Sequence, residues 1–208
     1  MAIAEDVAPT LLGAKPPYNL ERLEEVVRAL LIELGQVDKA EVMDHTPRRV
    51  AELYVQTINP PDVDVEIPFK TFDNPGMDDL VIVNDVHYVS LCEHHLAPAF
   101  GVAHVAYVPD AKVVGYSKLK KGLNYFARQP QLNERLVCQV LDVAEEQLQP
   151  KGIALVLRSV HCCIALRTNA PATELVTVTG YRGCLKDGPQ RAAFDATWAT
   201  QRSTFLGA

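Results

Sequence analysis

This sequence of 208 residues has no long apolar run, no excess of basic residues and few cysteines. No apolar run approaches the roughly 18 to 20 residues that cross a bilayer, so we expect no membrane partner. Lys and Arg number 20 against 26 Asp and Glu, and the net charge of −6 argues against binding to nucleic-acid phosphates. The segment 1–17 contains acidic residues instead of the basic stretch of a secretory signal. The sequence therefore predicts a cytoplasmic protein with neither membrane nor nucleic-acid partners.

The five cysteines are odd in number, and a chain of this length can fold without a disulfide framework. Metal binding or simple burial must therefore account for them. A lone cysteine usually behaves as a small apolar side chain. We expect such burial for Cys138 and Cys184, and by the same argument for Cys162.

Apolar residues make up 48% of the chain and charged residues 22%, a balance typical of a globular protein rather than a disordered or coiled-coil chain. The length favours one compact domain with a small appendage. Residues 1–18 are rich in Ala and Pro and show no period, so we expect them to form an N-terminal arm.

Two amphipathic helices are predicted after this arm. The first covers roughly residues 20–34, because Leu recurs at helical spacing after Asn19, a capping residue. The second is expected to begin at Thr46-Pro47, where Thr caps a helix and Pro fits its first turn. Together the two helices would form an N-terminal helical hairpin within residues 19–62.

The rest of the chain, residues 63–208, alternates between strand and helix patterns. Alternating β-branched residues predict strands, and apolar positions at helical spacing predict helices. The predicted order is strands at 79–91 and 101–108, a helix pair at 117–149, strands at 153–166 and 175–181, and a helix at 188–205. Antiparallel strands that are segregated from helices define the α+β class. We therefore expect a catalytic domain with an antiparallel sheet and a helix pair.

Two clusters of potential metal ligands occur in this domain. Cys92 and His95 are three residues apart, so both side chains can turn to one side of a tight loop. His161, Cys162 and Cys163 are expected in a strand, where His161 and Cys163 share one face. If Cys163 is a ligand, it makes with Cys92 and His95 an open site of the kind that catalytic zinc occupies.

Neighbouring side chains could supply proton transfer and base recognition. His94 and His161 would be imidazoles next to the metal, able to move protons near neutral pH. Glu134 is a carboxylate that could accept two hydrogen bonds from the N–H and amino edge of a guanine-type base. Divalent ions other than Zn²⁺ also suit a Cys/His/Cys ligand set.

Basic residues gather at three places despite the negative net charge. Arg48 and Arg49 are expected in the first turn of a helix, where the helix dipole disfavours cations unless they share an anion. Residues 117–121 open another helix with the same feature. Arg167 would extend from the strand face that presents Cys163. Several cations round one site would suit a polyphosphate.

Several short segments follow one another in a recognisable order and spacing. They are Thr46-Pro47-Arg48-Arg49-Val50-Ala51, Cys92-Glu93-His94-His95-Leu96, Val105-Ala106-Tyr107-Val108-Pro109, Gly115-Tyr116-Ser117-Lys118-Leu119, Pro130-Gln131-Leu132-Asn133-Glu134-Arg135-Leu136 and His161-Cys162-Cys163. These segments resemble the motifs of GTP cyclohydrolase I over roughly residues 20–205. The Cys-Glu-His-His motif followed by a later His-x-Cys is the most specific part of the resemblance.

The resemblance implies a tunnelling fold (T-fold) whose barrel is completed by oligomerisation, and a homodecamer whose active sites are shared between neighbouring subunits. It implies Zn²⁺ as the cofactor and GTP as the substrate. The implied metal ligands are Cys92, His95 and Cys163, and the implied catalytic residues are His94, His161 and Ser117. The implied substrate-binding residues are Glu134, with Asn133 beside it, at the guanine, and Arg49, Lys118, Lys121 and Arg167 at the triphosphate.

The implied reaction is hydrolysis of GTP to 7,8-dihydroneopterin triphosphate and formate, the first step of tetrahydrofolate and pterin biosynthesis. A zinc-bound water would add to C8 while His161 protonates N7, the imidazole ring of the purine would open, and formate would leave. Ser117 and His94 would assist the ribose opening and the rearrangement that precede closure of the new ring.

The sequence departs from the usual family pattern on the substrate side and not at any metal ligand. The departures are Thr168 for Gly, Asn133 for Gln, Lys121 for Arg, Tyr116 for Leu and Gly180 for Ser. Two alternatives stay open. One is a paralogue that acts on another purine nucleotide or stops at the ring-opened formamide, and the other is a non-catalytic zinc-binding regulatory subunit.

Overall fold

The computed structural model describes residues 18–58, 69–168 and 174–199. The chain divides into two compact units, residues 1–66 and 67–208. The N-terminal arm, except for its last residue, and the end of the predicted last helix fall outside the described residues. None of the described helices combines the length and apolar character needed to cross a bilayer.

The N-terminal unit contains two contacting helices, α1 (Leu20–Glu33) and α2 (Ala40–Ile58). The Asn19 side chain accepts a hydrogen bond from the backbone N–H of Arg22 at 2.8 Å, so α1 begins with the predicted cap. Gly35 follows the helix with φ of +72°, a conformation that glycine adopts without strain. The predicted boundaries of α1 are therefore confirmed.

The second helix begins at Ala40, so the predicted start at Thr46-Pro47 is wrong. Pro47 lies inside the helix and has no N–H to donate to the carbonyl of Met43, four residues earlier. Arg28 of α1 donates from Nη1 to this carbonyl at 2.6 Å and replaces the missing bond. The helix therefore continues through a residue that usually starts or breaks one.

The earlier start of α2 changes the setting of Arg48 and Arg49. Both residues lie well inside the helix and not in its first turn, so the argument from the helix dipole is wrong. Arg48 forms ion pairs with Glu52 at 2.6 Å and with Glu24 at 3.9 Å. Arg48 therefore has carboxylate partners within its own unit and needs no anionic ligand.

The described part of the C-terminal unit contains seven strands and four helices. The strands are β1 (Thr71–Asp73), β2 (Val81–Cys92), β3 (Pro98–Val108), β4 (Lys112–Val114), β5 (Pro130–Gln131), β6 (Gly152–His161) and β7 (Val176–Gly183). The helices are α3 (Tyr116–Ala127), α4 (Asn133–Leu148), α5 (Cys162–Thr168) and α6 (Gly188–Ala199). β1 pairs with β4, and the main sheet has the order β5-β2-β3-β6-β7, antiparallel except between β2 and β5. The predicted α+β class is confirmed.

Helices α3 and α4 pack on this sheet and position the segments that follow it. Buried apolar residues recur at helical spacing along α4, as predicted. The contact between α4 and β7 is close at Gly180, where an added Cβ would lie 2.4 Å from Cγ1 of Val137 and 2.5 Å from Cδ1 of Leu141. Close helix packing therefore explains the glycine at a position where the family usually has Ser.

The segment after β6 differs from its prediction. The sequence predicts a strand as far as Leu166, but β6 ends at His161 and α5 begins at Cys162. His161 and Cys163 therefore do not share one strand face, because the chain turns into a helix between them. α5 has seven residues, too few for a helical period to be visible in the sequence.

The predicted burial of two single cysteines is also wrong. Cys138 on α4 and Cys184 after β7 are both exposed, and Cys162 is only partly buried. A residue outside a periodic apolar pattern gives no sequence signal for the side of an element on which it lies. The tendency of cysteine to be buried was therefore the only basis for this prediction.

Candidate metal centre and surrounding site

The loop after β2 is a tight turn. The backbone N–H of Leu96 donates to the carbonyl of Cys92, and the N–H of Cys92 donates to the carbonyl of Ala97, both at 2.8 Å. Leu96 has φ of +50°, a left-handed conformation that lets the chain reverse direction. The turn brings His95 back to Cys92, and Nδ1 of His95 lies 3.6 Å from Sγ of Cys92.

Sheet register brings Cys163 to the same place. Ala99 on β3 pairs with Ser90 of β2 on one side and with His161 of β6 on the other. The C-terminal ends of β2 and β6 therefore lie at the same end of the sheet. Cys92 closes β2, and Cys163 follows directly after the end of β6 in the first turn of α5. The ligand atoms of Cys92, His95 and Cys163 all lie within 4.8 Å of one another.

These donor atoms suit a zinc ion. Zinc binds a Cys sulfur at about 2.3 Å and a His nitrogen at about 2.0 Å, so tetrahedral coordination separates the two by about 3.6 Å. The sulfur of Cys92 and Nδ1 of His95 have this separation. Burial and the neighbouring Cys92 thiol raise the pKa of Cys163, and a bound dication would stabilise both thiolates. Three protein ligands would leave a fourth position for water or substrate.

The other nitrogen of His95 faces a cation. Nη1 of Arg167 lies 3.2 Å from Nε2 of His95. Arg167 is four residues after Cys163 on α5, so the two side chains lie on the same side of that helix. The sequence predicts Arg167 near the metal on a strand, and the structure brings it there on a helix.

His161 contacts the first residue of α4. Nδ2 of Asn133 lies 3.0 Å from Nε2 of His161 and also donates to Oγ of Ser159 at 2.8 Å. Burial lowers the pKa of His161, and the nearby Glu134 carboxylate acts in the opposite direction. A partly buried imidazole close in sequence to a candidate metal ligand is well suited to proton transfer.

An ion pair that sequence reasoning missed joins the loop after β2, residues 93–97, to α4. We call this loop the metal-binding loop, because it follows Cys92 and contains His95, two of the candidate ligands. Nη1 of Arg135 lies 2.5 Å from Oε2 of Glu93, and Nη2 lies 3.2 Å from Oε1. The Arg135 guanidinium lowers the pKa of Glu93. Cys92 also pairs with Gln131 of β5, just before α4 begins. The loop is therefore attached to the start of α4 by two separate contacts.

Both residues of this ion pair lie inside the motifs that resemble the family. A charged pair far apart in sequence follows no spacing rule, so the sequence gives no signal for the contact between them. Two buried hydroxyls near His161 were also missed. They belong to Tyr88 on β2 and Ser159 on β6, at positions where strand alternation alone predicts only an inward-facing side chain.

Other predicted residues are less closely connected to the metal ligands. His94 is exposed, and its Nε2 lies 4.0 Å from Oε1 of Glu93. Ser117, Lys118 and Lys121 lie in the first two turns of α3. Among the described residues, these three side chains form no hydrogen bond or ion pair with the candidate metal ligands.

Glu134 and Arg49 complete the predicted set. Glu134 lies in the first turn of α4, near enough to His161 to influence the pKa of that imidazole. Arg49 belongs to α2 in the N-terminal unit, and its contribution to the site stays a prediction. The effect of Thr168 also stays a prediction, because its side chain lies outside the described residues.

Known proteins are similar to this chain over most of its length. A sequence model described as GTP cyclohydrolase I matches residues 23–198. GTP cyclohydrolase 1 of Sulfurihydrogenibium sp. (strain YO3AOP1) is 40% identical over 159 residues, which cover 76% of this chain and 82% of that protein. GTP cyclohydrolase 1 of Geobacillus sp. (strain WCH70) is 39% identical over 170 residues, which cover 81% of this chain and 90% of that protein. GTP cyclohydrolase 1 of Aquifex aeolicus (strain VF5) is 36% identical over 175 residues, which cover 84% of this chain and 94% of that protein.

Proposed function

The chain belongs to the GTP cyclohydrolase I family, and on this basis we propose that it hydrolyses GTP to 7,8-dihydroneopterin triphosphate and formate in a zinc-dependent reaction. As a member of this family it is an enzyme that acts on GTP. The observation that supports the finer proposal best is the convergence of the ligand atoms of Cys92, His95 and Cys163 within 4.8 Å.

We propose Cys92, His95 and Cys163 as the ligands of the zinc ion. When bound there, zinc would supply a water molecule of lowered pKa at the open coordination position. His161 donates a proton to N7 of the purine as water adds to C8, and the ring opens to a formamide, which a second water molecule hydrolyses to release formate. Its partial burial and its position just before the third ligand support this role. His94 has the same chemistry available on the solvent side, where we propose that it assists the ribose rearrangement.

The substrate-binding residues follow from charge and hydrogen-bonding capacity. Glu134 accepts hydrogen bonds from the guanine edge, with the carbonyl oxygen of Asn133 beside it. Lys118 and Lys121 lie in the first turns of α3, where the helix dipole also favours an anion. Arg167 adds a third cation next to the metal ligands. Together with Arg49 these residues are proposed to bind the triphosphate, and Ser117 is proposed to contact the ribose.

The family architecture is also part of the proposal. We propose a T-fold with an N-terminal helical hairpin in residues 19–62 and a catalytic domain in residues 63–208, whose barrel is completed by oligomerisation. The assembly is a cytoplasmic homodecamer with active sites shared between subunits. The net charge of −6 supports a protein without a nucleic-acid partner, and the α+β architecture is consistent with the T-fold.

Product analysis tests the proposed reaction. The purified full-length protein, with its zinc content measured, is incubated with GTP, and the products are identified by mass spectrometry together with a formate assay. We expect dihydroneopterin triphosphate and formate in equal amounts. A ring-opened formamide, or turnover of another purine nucleotide alone, would support the divergent paralogue instead. Absence of any reaction in the zinc-loaded protein would support the regulatory subunit.

Two adjacent cysteines provide a matched test of the ligand assignment. Cys163→Ser should lose stoichiometric zinc and at least about 100-fold in turnover, because it removes a thiolate from the ligand set. Cys162→Ser changes the neighbouring cysteine in the same helix and should keep both zinc and activity. Stoichiometric zinc in Cys163→Ser would show that the ligand set is wrong.

A further inference from the structure

One row of the sheet places two buried hydroxyls near His161. Tyr88 on β2 pairs with Gly101 on β3, and Gly101 pairs with Ser159 on β6, so the three residues lie side by side across three strands. Tyr88 is 2% exposed and Ser159 is fully buried. A Cβ at Gly101 would lie 2.0 Å from the carbonyl oxygen of Arg158, so glycine is required here. The glycine therefore allows β3 and β6 to approach closely in this row.

Asn133 connects this row to His161. It is the first residue of α4 and is 5% exposed. Its Nδ2 carries two hydrogens and has two neighbours, Oγ of Ser159 at 2.8 Å and Nε2 of His161 at 3.0 Å. The Tyr88 hydroxyl lies near Ser159 and Asn133, but it forms no hydrogen bond with any described residue. Three side chains, those of Ser159, Asn133 and His161, therefore form one continuous polar chain, and the Tyr88 hydroxyl lies beside its buried end.

The Tyr88 hydroxyl remains a proton donor in this position. Burial raises the pKa of Tyr88 to about 12, and Ser159 and Asn133 partly offset that effect. A buried O–H group is stabilised by an acceptor, and Oγ of Ser159 has two lone pairs to offer. One of them receives the hydrogen of Asn133, and the second is available to Tyr88. The hydroxyl of Ser159 therefore forms the buried end of the polar chain.

We propose that Ser159 and Tyr88 are positioning residues, which hold the Asn133 amide against His161 and so fix the orientation and tautomer of the imidazole ring. This inference rests on the proposed function, in which His161 donates a proton. Because Nδ2 of Asn133 donates to Nε2 of His161, Nε2 keeps its lone pair and the proton of the neutral ring lies on Nδ1. Nδ1 is then the nitrogen available to the substrate.

The same geometry explains why a shorter side chain occurs where the family usually has Gln. Both hydrogens of the Asn133 amide are used by Ser159 and His161, and only its carbonyl oxygen is available to a base. Removal of the Ser159 hydroxyl would leave one amide hydrogen without an acceptor in a buried position. The amide could then turn over and present its oxygen to His161, which favours the opposite tautomer.

Kinetics on the full-length, zinc-loaded protein test the proposal. Ser159→Ala should lower kcat about 10- to 100-fold, by analogy with the loss seen when a residue that orients a metal-binding imidazole is removed. Tyr88→Phe should lower kcat less, because Asn133 keeps its Ser159 partner. Ser159→Thr keeps the hydroxyl and should recover most of the activity. Zinc content should change less than about twofold, because Ser159 and Tyr88 are not among the proposed ligands. KM for GTP should rise by a smaller factor than kcat falls, because only the Asn133 oxygen would turn away from the base.

Ser90→Ala is the matched control. It also removes a buried hydroxyl from the sheet, and Oγ of Ser90 has no hydrogen-bond partner among the described residues. This variant should keep kcat within about twofold of the wild type. It therefore separates loss of the polar chain from loss of any buried hydroxyl in this region.

Solid-state ¹⁵N NMR on protein with ring-labelled histidine provides a readout that a purely structural role would not change. The His161 signals are identified by their absence in His161→Gln. The wild type should show a protonated Nδ1 and an unprotonated Nε2, and Ser159→Ala should show a mixture of tautomers.

The outcomes separate the two proposals. Equal kcat in Ser159→Ala and Ser90→Ala, with an unchanged His161 spectrum, would overturn the positioning role and leave GTP hydrolysis intact. A fall in kcat that is matched by an equal rise in KM and an equal loss of zinc would also overturn the positioning role. If the wild type does not hydrolyse GTP, the proposed function fails. In that case the NMR spectrum alone tests the positioning role. A changed His161 tautomer in Ser159→Ala supports the role, and an unchanged tautomer overturns it.

Discussion

The contact between Arg167 and His95 has a chemical consequence at the candidate metal centre. His95 presents Nδ1 to Cys92 at 3.6 Å and Nε2 to Arg167 at 3.2 Å. An imidazole that binds a metal through Nδ1 keeps its proton on Nε2, and this N–H cannot accept a hydrogen bond from a guanidinium. Metal binding at Nδ1 therefore favours the movement of Arg167 away from His95 and toward an anion.

Arg167→Met should bind zinc more tightly than the wild type, by roughly fivefold, because a cation next to the site no longer repels the dication. The KM for GTP should rise in the same variant, because one proposed phosphate ligand is lost. Zinc affinity is measured by competition with a chelator of known affinity. Lys120→Met removes an equal charge from an exposed position of α3 and should leave zinc affinity unchanged. Weaker zinc binding in Arg167→Met would show that Arg167 supports the metal-binding loop.

At the scale of elements, the Glu93–Arg135 pair fixes the metal-binding loop to α4. Arg135→Met should lower zinc affinity about tenfold, because the turn that carries two ligands loses one of its attachments. Glu93→Gln should have a similar effect, and the double variant should be little worse than either single one. Arg182→Met breaks another ion pair of α4, with Asp142, and is the control. Additive effects of the two site variants would show that the pair does not act as a unit.

His104 makes the interior of β3 sensitive to acid. Its side chain is fully buried, with Nδ1 3.1 Å from Oδ1 of Asn84, and Nε2 has no partner among the described residues. Burial lowers the pKa of His104 in the folded protein. The unfolded chain therefore binds the proton more readily, so stability is present above the unfolded pKa of about 6.5 and is lost as pH falls below it.

Urea unfolding between pH 7.5 and 5.5 measures this effect. The wild type should lose up to about 1.4 kcal/mol per pH unit from this group below pH 6.5. In His104→Gln that loss should be smaller, although the stability at pH 7.5 also falls. His87→Gln changes an exposed histidine of the neighbouring strand and should keep the pH dependence of the wild type. An identical slope in His104→Gln and the wild type would contradict the argument.

The elements also show how far sequence reasoning extends. Periodic segments such as α1, β3 and α4 were predicted, because an apolar face repeats along each of them. The start of α2 was not predicted, because Pro47 is accommodated by Arg28, a hydrogen-bond donor from another helix. The end of β6 was not predicted either, because α5 is too short to show a helical period. Local patterns therefore predict elements that are stabilised locally and fail where a distant side chain decides.

The candidate site divides in the same way. Cys92 and His95 were predicted from their spacing alone, and Cys163 was reached by a strand argument that the structure replaces with a helix. Ser159 was not found, because its relation to Asn133 depends on the register of separate strands and on the packing of α4. Ligand types can be read from a sequence, whereas the groups that orient them depend on tertiary contacts.

At the scale of the whole molecule, α1 and the residue after it carry an apolar stripe that the N-terminal unit leaves uncovered. Val26, Leu30 and Leu34 are four residues apart and are 60%, 56% and 62% exposed. Apolar stripes on a helix are usually covered by another element or another subunit. The proposed homo-oligomer supplies such a cover.

Light scattering after size-exclusion chromatography measures the assembly. The wild type should have a mass about ten times that of the 22.9 kDa chain, as expected for a closed decamer. Leu30→Glu should shift the mass to smaller species, because a charge in the stripe opposes burial. Ala29→Glu adds the same charge beside the stripe and should leave the mass unchanged. A wild type that is monomeric would exclude an active site shared between subunits.

The separation of the metal ligands along the chain affects how the protein is made. The turn after β2 emerges from the ribosome early but offers only two donors, and the third donor follows β6, whose pairing with β3 sets its place. We therefore expect ion capture at the proposed site to follow sheet formation, unlike in zinc fingers, which are unfolded without metal. With the zinc dependence proposed above, we expect a cell short of zinc to accumulate folded, inactive chains that renewed supply activates without new protein synthesis.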